Sequence, residues 1–319
     1  MEGDQLLYTL TPNPAIDLYI GMDQLLPNTV NRTNEEDYQA NGKAVNISVM
    51  LQRFGLPNTA LGFIGGFSGR FIEEELQKQG IQTNFVRVEG TTRINVFVNA
   101  DKEYKIVNQG PEIPKDKLNE MKKLLKELPE QSTLFLSGSL PKGLDDKFYL
   151  ETAKICKDRK IKLILDISSP ILLDCLAYQP YLIKPNDDEL ASFFNIDTEE
   201  LTDSKIIFYA NKLVQLGAQH VLVSRGEKGA IYVTDSDAIK VTAPKGEVVN
   251  TACAGDSLLA TFASQEIKGE SIEQALVLAS AVGSSTAFSK GLSDLSDINA
   301  LIKQISIHSL KEELNNVKG

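Results

Sequence analysis

Short apolar runs alternate with amphipathic stretches along most of this chain of 319 residues. We predict a strand where β-branched and aromatic residues form a short run, and a helix where apolar residues recur every three or four positions. The predicted strands are Leu6–Leu10, Thr59–Ile64, Thr133–Leu136, Lys162–Asp166, Tyr181–Ile183, His220–Val223 and Ala230–Val233. The predicted helices are Val45–Phe54, Arg70–Gln79, Lys115–Leu128, Asp145–Asp158, Asp187–Phe194, Ser204–Leu216 and a last one from Asp256 to about Lys268. This alternation predicts an α/β fold with a mostly parallel central sheet flanked by helices on both faces.

Two segments interrupt the alternation with short strands joined by polar turns. They are Asp17–Ile20 with Thr29–Tyr38, and Thr92–Asn99 with Glu103–Val107, the second pair forming a hairpin that turns at Asn99–Lys102. We interpret them as a small inserted β-sheet lid, although two ordinary surface excursions would give the same pattern. The predicted domains are a core of residues 1–11, 40–91 and 108–319 and a lid of residues 12–39 and 92–107. Lys311–Gly319 is expected to be a frayed helix end.

The chain is acidic, with 33 Lys and Arg residues against 43 Asp and Glu residues and a net charge of −10. This balance argues against nucleic acid or an anionic membrane as a partner, although a few local cations and backbone amides suffice to bind a phosphate. The start, Met1-Glu2-Gly3-Asp4, lacks the basic region of a signal peptide, and no apolar run approaches membrane-spanning length. We therefore expect a cytoplasmic protein.

The cysteines and histidines do not follow the spacing of a metal or catalytic centre. Cys156, Cys175 and Cys253 have no close pairing, as expected in a reducing compartment. His220 precedes a predicted strand and His308 lies in the polar C-terminal region, so both are expected to be structural. Zinc chemistry and a Ser–His–Asp triad are accordingly not expected.

The segment Asn250–Asp256 carries the clearest chemical signal. Small residues and Gly255 stand directly before Asp256, which opens an apolar helix. The unpaired N–H groups and the positive dipole end of such a helix attract an anion, and Asp256 is placed to take a proton from a group that attacks it. Phosphoryl transfer to an alcohol requires this combination. An ordinary Asp N-cap after a glycine turn is the alternative.

Two patches near the N-terminus suit a hydroxyl-bearing, anionic substrate. Asp17 follows the strand and rigid turn of Thr11–Asp17, where a carboxylate can accept hydrogen bonds from sugar hydroxyls or simply belong to a strand-end turn. In Asn41–Asn46, Lys43 lies at a glycine-started helix and suits an anionic substrate. Asn46 lies about one helical turn further along.

Three further patches suit phosphate groups. Arg93 on a predicted lid strand presents a guanidinium that matches phosphate geometry, although a solvated arginine is the alternative. The Lys, Asn and Glu side chains of Lys184–Glu189, at the start of a helix, could serve nucleotide phosphates and the hydration shell of Mg²⁺. Ser224–Ala230 offers a glycine turn that permits close backbone approach by ATP. Each patch is weak alone, and their order and spacing are the stronger signal.

With these residues assembled, the chain resembles the PfkB, or ribokinase-like, carbohydrate kinases over nearly its full length. Within them it is most similar to the branch of 1-phosphofructokinases and tagatose-6-phosphate kinases. The matching segments are Thr11–Asp17, Gly42–Asn46, Thr92–Val96, Ser137–Pro141, Lys184–Leu190, Ser224–Ala230 and Ala254–Asp256. The resemblance implies a ribokinase-like α/β core with a β-lid that often mediates dimerisation, and hence a homodimer through the lid.

The resemblance also implies roles for individual residues. Asp256 would be the catalytic base, and the turn at Cys253 with the amides of Ala254, Gly255 and Asp256 would form the anion hole. Around the phosphosugar it implies Asp17, Gly42, Lys43, Asn46, Arg93 and Ser139. Around ATP and Mg²⁺ it implies Lys184, Asn186, Glu189, Ser224, Gly226 and Gly229, with Glu189 reaching the metal through water. Part of Ala281–Ala287 is expected to form the adenine wall.

Three positions depart from the glycines of the family pattern. Cys253 stands at the start of the anion-hole turn, and Asn41 and Ala44 replace glycines of a Gly-Gly-Lys-Gly sequence. If Cys253 needed a positive φ, its side chain would cost about 1 kcal/mol or more, whereas Asn tolerates left-handed geometry. Redox control through Cys253 is conceivable because a helix N-terminus lowers a thiol pKa. Replacement by another small residue is the simpler account.

These inferences lead to an ATP- and Mg²⁺-dependent kinase acting on a ketohexose monophosphate and giving a ketohexose 1,6-bisphosphate. D-Tagatose 6-phosphate and D-fructose 1-phosphate are the leading substrates and fructose 6-phosphate is a third, because Lys43 and Arg93 favour a phosphorylated acceptor over ribose or a nucleoside. A non-catalytic sugar-phosphate sensor on the same fold is favoured only by Cys253. A nucleotide-linked oxidoreductase would also suit the alternation of strands and helices, but this chain lacks the glycine pattern that binds a dinucleotide.

Overall fold

The computed structural model describes residues 6–318. Three predictions therefore lie partly or wholly outside the described residues: the start Met1-Glu2-Gly3-Asp4, the first five residues of the predicted core, and the last residue of Lys311–Gly319. Within residues 6–318, none of the helices combines the length and the apolar character needed to span a bilayer.

The described chain alternates strands and helices. The strands are β1 (Leu7–Thr11), β2 (Ala15–Gly21), β3 (Glu35–Asn41), β4 (Asn58–Ile64), β5 (Gln82–Thr83), β6 (Val86–Arg87), β7 (Arg93–Asn99), β8 (Glu103–Ile106), β9 (Thr133–Ser137), β10 (Lys162–Asp166), β11 (Leu182–Ile183), β12 (His220–Ser224), β13 (Ala230–Val233), β14 (Ala238–Val241) and β15 (Ile307–Ser309). The helices are α1 (Lys43–Arg53), α2 (Gly66–Lys78), α3 (Lys115–Glu127), α4 (Lys147–Asp158), α5 (Leu172–Cys175), α6 (Asp187–Phe194), α7 (Asp203–Leu216), α8 (Ala254–Ile267), α9 (Ile272–Ala287), α10 (Ile298–Ile302) and α11 (Lys311–Lys318).

The central sheet has the strand order β5-β4-β1-β9-β10-β11-β12-β13-β14-β15, and β6 also pairs with β4. The strands from β5 to β12 are parallel, and the edge from β12 to β15 is antiparallel. Both faces are covered because alternate side chains of one strand enter different cores. Leu134 and Leu136 of β9 pack in a cluster with Met121 and Leu125 of α3, whereas Phe135 packs in the cluster that contains α1, α8 and α9. The predicted fold class is confirmed.

A second, four-stranded sheet has the order β3-β2-β7-β8, with β2 and β7 parallel and the outer pairs antiparallel. Its strands lie largely in the two segments predicted as a lid, and Asn99–Lys102 joins β7 to β8 as the predicted hairpin turn. The predicted strand Thr29–Tyr38 is wrong in its first half, because β3 begins at Glu35. The Asn31 side chain bonds to the backbone N–H and carbonyl of Leu26, at 2.9 and 2.8 Å, which stabilises a loop there.

The chain end was expected to fray, and this expectation is wrong. Lys311–Lys318 forms α11, which packs against α7 and β14 through the buried Leu314. Lys311 and Lys318 pair with Asp237 and Asp235 at 3.0 and 2.7 Å. One buried side chain and these ion pairs therefore anchor a segment whose sequence is mostly polar.

The prediction also omits α9, the antiparallel edge strands β14 and β15, and the short strands β5 and β6. Helix α9 starts with a capping box in which Ser271 and Gln274 bond to each other's backbone. Its small residues are buried against α8 and other neighbours on most sides, so the polar face that marks an amphipathic helix is missing.

Candidate active site

A cavity of about 1050 Å³ is lined by residues of both the central sheet and the four-stranded sheet. It is lined by fifteen of the sixteen predicted site residues, namely Asp17, Gly42, Lys43, Asn46, Arg93, Lys184, Asn186, Glu189, Ser224, Gly226, Gly229, Cys253, Ala254, Gly255 and Asp256. Ser139 is exposed and does not line the cavity, so its role stays a prediction. Residues far apart in sequence thus meet at one place, close to the carboxyl ends of the parallel strands, where open α/β sheets bind ligands.

Asp256 lies in the first turn of α8 and is 6% exposed. Cys253 caps this helix with φ of 64°, so it does adopt the left-handed conformation considered above. A Cβ built on Gly255 would lie 3.3 Å from Nζ of Lys184. The lysine amine therefore lies beside the first turn of α8, where an anion would be met by both the amine and the dipole. The amide of Ala254 donates to the Thr251 carbonyl at a long 3.4 Å.

Helix α1 holds the Asp256 carboxylate from the side. Nδ2 of Asn46 donates to Oδ2 of Asp256 at 2.8 Å and to Oδ1 of Asn41 at 3.0 Å. The same Asn41 oxygen accepts a bond of 2.6 Å from the backbone N–H of Gly42. Asn41, which replaces a family glycine, is therefore part of the network that orients Asn46 toward Asp256.

Asp166 lies at the end of β10, is fully buried, and pairs with two lysines through one oxygen. Its Oδ1 is 3.3 Å from Nζ of Lys43 and 3.4 Å from Nζ of Lys184. Burial raises the pKa of Asp166, but the charges of Lys184 and Lys43 outweigh it and hold this pKa below its ordinary value. Burial lowers the pKa of Lys43, but the negative charges nearby, chiefly those of Asp166 and Asp256, raise it by more. The net shift of this pKa is therefore upward. Asp166 and Lys43 therefore both remain charged near neutral pH.

The pKa of Asp256 is raised from 3.8 to about 6. Burial is the main cause, and the negative charge of Asp166 adds to it, whereas Lys43, the Asn46 hydrogen bond and Lys184 act in the opposite direction. A carboxylate with such a pKa is ionised at neutral pH and a better proton acceptor than an exposed one, which is what general-base catalysis needs.

The lid side of the cavity carries a second buried acid. Oδ1 of Asp17 accepts a bond of 2.7 Å from Nδ2 of Asn95, and burial raises the pKa of Asp17 despite this bond and the nearby Arg93. The guanidinium of Arg93 donates to the carbonyls of Asn13 and Asn108 at 2.8 and 3.4 Å. Its Nε is buried and has no hydrogen-bond partner among the described residues.

The opposite side of the cavity is built from the start of α6 and a glycine turn. Asn186 and Glu189 form a capping box, and Oε1 of Glu189 also accepts a bond of 2.6 Å from Ser168. Gly229 has φ of 87°, and a Cβ there would lie 2.0 Å from the Val241 carbonyl, so this turn requires glycine. Gly283, Ser284 and Ala287 of α9, which belong to the segment expected to form the adenine wall, line the cavity; their contact with adenine stays a prediction.

The surroundings of Cys253 favour the protonated thiol. Burial raises the pKa of Cys253 to about 12, and the negative charge of Asp256 adds to the effect. These effects outweigh that of the helix start, so they give no support to the alternative of redox control and leave replacement by another small residue as the simpler account. Nδ2 of Asn41 lies 3.7 Å from the Cys253 sulfur, so two of the residues that replace family glycines contact each other.

A family comparison agrees with this geometry. Residues 13–299 match the model of the pfkB family of carbohydrate kinases. The chain belongs to this family. As a pfkB kinase it is an ATP-dependent carbohydrate kinase, as the sequence resemblance predicted.

Individual relatives cover nearly the whole chain. A D-tagatose-1-phosphate kinase of Bacillus licheniformis is 53% identical over 96% of this chain and 100% of the relative. A 1-phosphofructokinase of Bacillus subtilis is 33% identical with the same coverage of both chains. The crystal structure of phosphofructokinase-2 from Escherichia coli superposes with a TM-score of 0.86 at 25% identity, covering 94% of this chain and 98% of that one.

Sequence reasoning missed two residues of the pfkB kinase site, Asp166 and Asn95. Asp166 ends the predicted strand Lys162–Asp166, and an acid at the carboxyl end of a buried parallel strand is the signal that could have identified it. Asn95 stands two positions after Arg93, on the same face of β7. Its hydrogen bond to Asp17 depends on the register of β2 with β7, in which these two residues are opposite each other.

Proposed function

We propose that this pfkB kinase transfers the γ-phosphoryl group of ATP to the free primary hydroxyl of a ketohexose monophosphate and releases a ketohexose 1,6-bisphosphate. Asp256 acts as the general base on that hydroxyl. The start of α8 and the amine of Lys184 stabilise the charge on the transferred group.

The proposal rests on the surroundings of the Asp256 carboxylate. It is buried, has a raised pKa, is oriented by Asn46, and lies at a helix start beside the amine of Lys184. A base and an anion site in contact can act together on an attacking hydroxyl and on the phosphoryl group that it attacks. An Asp that served only as a helix cap would need neither burial nor these partners.

The sugar is proposed to bind on the lid side of Asp256 and the nucleotide on the other side. Asp17 and Asn46 would form hydrogen bonds with the sugar hydroxyls. Lys43 and Arg93 would hold the phosphate that the sugar already carries. The backbone of Ser224, Gly226 and Gly229 would approach the nucleotide. All of these residues line the one cavity.

Mg²⁺ is proposed to bind with ATP near Glu189. Oxygen ligands are the ones Mg²⁺ prefers, and it usually keeps several water molecules. The Glu189 carboxylate suits this because Ser168 and the Asn186 backbone hold it in place by single hydrogen bonds at 2.6 and 3.0 Å, which leaves lone pairs for metal-bound water. When bound, the ion would neutralise charge on the phosphates of ATP.

For the substrate we propose a ketohexose 1-phosphate, with D-tagatose 1-phosphate first and D-fructose 1-phosphate second. The support is the 53% identical relative named D-tagatose-1-phosphate kinase and the 33% identical 1-phosphofructokinase. D-Tagatose 6-phosphate remains an alternative, since relatives named tagatose-6-phosphate kinase are 32% identical. All three would give a 1,6-bisphosphate.

A steady-state comparison of these sugars tests the proposal. We expect kcat/KM, measured by coupled ADP release, to be highest for D-tagatose 1-phosphate and lower for D-fructose 1-phosphate, D-tagatose 6-phosphate and D-fructose 6-phosphate. Preference for a 6-phosphate would overturn the choice of the 6-hydroxyl as acceptor. Turnover of unphosphorylated sugars alone would overturn the phosphosugar class.

The four-stranded sheet is proposed to be a lid that also forms a homodimer. Tyr38, Leu18, Val96 and Ile106 lie in one row across the sheet by their register, next to the row of Asp17 that faces the cavity, and hence on the opposite face. Tyr38 and Ile106 are half exposed. An apolar row open to solvent suits a second copy of the same sheet. Sedimentation of the wild type as a dimer and of Tyr38→Asp as a monomer would support this; a monomeric wild type would refute it.

A further inference from the structure

We propose that Asp166 is a positioning residue that couples the two substrate sites, by holding the phosphosugar lysine Lys43 and the nucleotide lysine Lys184 on one buried carboxylate. The inference rests on the proposed function, which assigns those two lysines to different substrates. It adds that neither lysine acts independently of the other.

The geometry behind this coupling is a shared acceptor. Nζ of Lys43 and Nζ of Lys184 both lie within 3.4 Å of the same oxygen, Oδ1 of Asp166. The other oxygen, Oδ2, is buried and has no hydrogen-bond partner among the described residues. Both lysines also line the cavity. Each amine therefore has one side on Asp166 and can direct its remaining donors to a ligand, since an ammonium has three.

The energetics make the three groups interdependent. A carboxylate with no exposed surface is strongly destabilised unless cations compensate it. Two lysines share this task, so removal of one leaves the other as the sole compensating charge. The remaining amine is then drawn more firmly onto Asp166 and is less available to a phosphate. Loss of Asp166 has a different effect, because both amines lose the anchor that fixes their position.

A structural role alone would not reproduce this pattern. The pair of Lys162 and Glu266 at the other end of β10 is a contact of similar length, 3.4 Å, but its carboxylate is less deeply buried and it lies away from the cavity. If Asp166 only stabilised the fold, Asp166→Asn would lower stability, as Glu266→Gln would to a smaller extent, without raising KM for both substrates. If Asp166 positions the lysines, only Asp166→Asn changes how both substrates bind.

The experiment measures KM for ATP and for D-tagatose 1-phosphate, or the preferred sugar found above, in Lys43→Met, Lys184→Met, Asp166→Asn and Glu266→Gln. Each lysine variant should raise KM for its own substrate about tenfold, the value of a lost charge-assisted hydrogen bond. It should also raise KM for the other substrate, by about threefold. Asp166→Asn should raise both about tenfold, and Glu266→Gln neither. The lysine cross-effects keep the test decisive if Asp166→Asn does not fold.

Several outcomes separate the two proposals. If each lysine variant changes only its own KM, the coupling is refuted while the assignment of the lysines stands. If Lys43→Met does not change KM for the sugar, the proposed function itself fails at that residue. If excess Mg²⁺ restores Asp166→Asn to wild-type behaviour, Asp166 acts on the metal and the positioning role is refuted. An unchanged Mg²⁺ dependence with both KM values raised supports it.

Discussion

The side-chain amide of Asn46 donates a hydrogen bond of 2.8 Å to Oδ2 of Asp256. Both residues are buried, and the bond joins helix α1, which follows β3 of the four-stranded sheet, to helix α8, whose start is the proposed anion site. Because this bond stabilises the charged form, it lowers the pKa of Asp256 against the larger effect of burial. Asn46 thus fixes both the direction and the basicity of the proposed base.

Replacement of Asn46 by Ala should therefore disturb catalysis in two ways. We expect kcat to fall about tenfold, since one hydrogen bond to a charged group is lost. The pKa of Asp256 should rise, because a contact that favours its charged form is removed. Asn58→Ala is the matched control, since Asn58 is also buried but donates to the Ser48 carbonyl away from Asp256. Equal activity of the two variants would argue against the role of Asn46.

The pH profile of the wild type follows from the pKa of Asp256. The base must be ionised, so activity should be half-maximal near a pH of about 6, approach its full value above this pH and fall as the pH drops through it. An Asp with its ordinary pKa of 3.8 would keep full activity to well below pH 5. The measurement is kcat/KM against pH with Mg²⁺ and ATP saturating. A flat profile between pH 7 and pH 5, with the protein folded, would contradict the assignment.

Arg93→Ala should mainly affect binding of the phosphosugar. The Arg93 side chain lines the cavity and its guanidinium bonds to two loop carbonyls, so its removal takes away the proposed cation for the sugar phosphate and loosens these loops. We expect KM for the phosphosugar to rise about tenfold, with little change in KM for ATP. Arg87→Ala, an exposed arginine paired with Glu73, serves as control. An unchanged KM would indicate that Arg93 does not contact the sugar phosphate.

Cys253→Gly should stabilise the protein. The φ of 64° at Cys253 is unfavourable for a residue with a Cβ, so glycine should raise the free energy of unfolding by up to about 1 kcal/mol. Cys253→Ala keeps the Cβ and should bring no such gain. Urea unfolding of the three proteins measures the difference. A glycine variant less stable than the alanine variant would show that backbone strain at 253 is negligible.

The fold was predictable wherever a buried strand is a continuous apolar run. Lys162–Asp166, Ala230–Val233 and helix Asp187–Phe194 were predicted with the bounds they have in the structure, because a charged, polar or glycine residue stands at each boundary or directly outside it. Helix α9 and the chain end were not predictable in this way. Small residues give α9 no polar face, and one buried leucine holds α11 in place.

The candidate site was predictable as a set of motifs but not as a network. Each motif lies at a strand end or a helix start, where the parallel topology brings ligand-binding residues together. Asp166 has no motif of its own, and its importance comes from two lysines that approach it from other segments. The conformation of Cys253 was also open, because the sequence does not determine φ for a residue in a turn.

The most direct test of the central claim is single-turnover phosphoryl transfer by Asp256→Asn. The variant keeps the size and most hydrogen bonds of the side chain but loses the base, so the rate of the chemical step should fall by a factor on the order of 10² to 10⁴. ATP affinity, measured by equilibrium titration, should change little. A rate close to that of the wild type, with the preferred phosphosugar and Mg²⁺–ATP bound, would contradict the account.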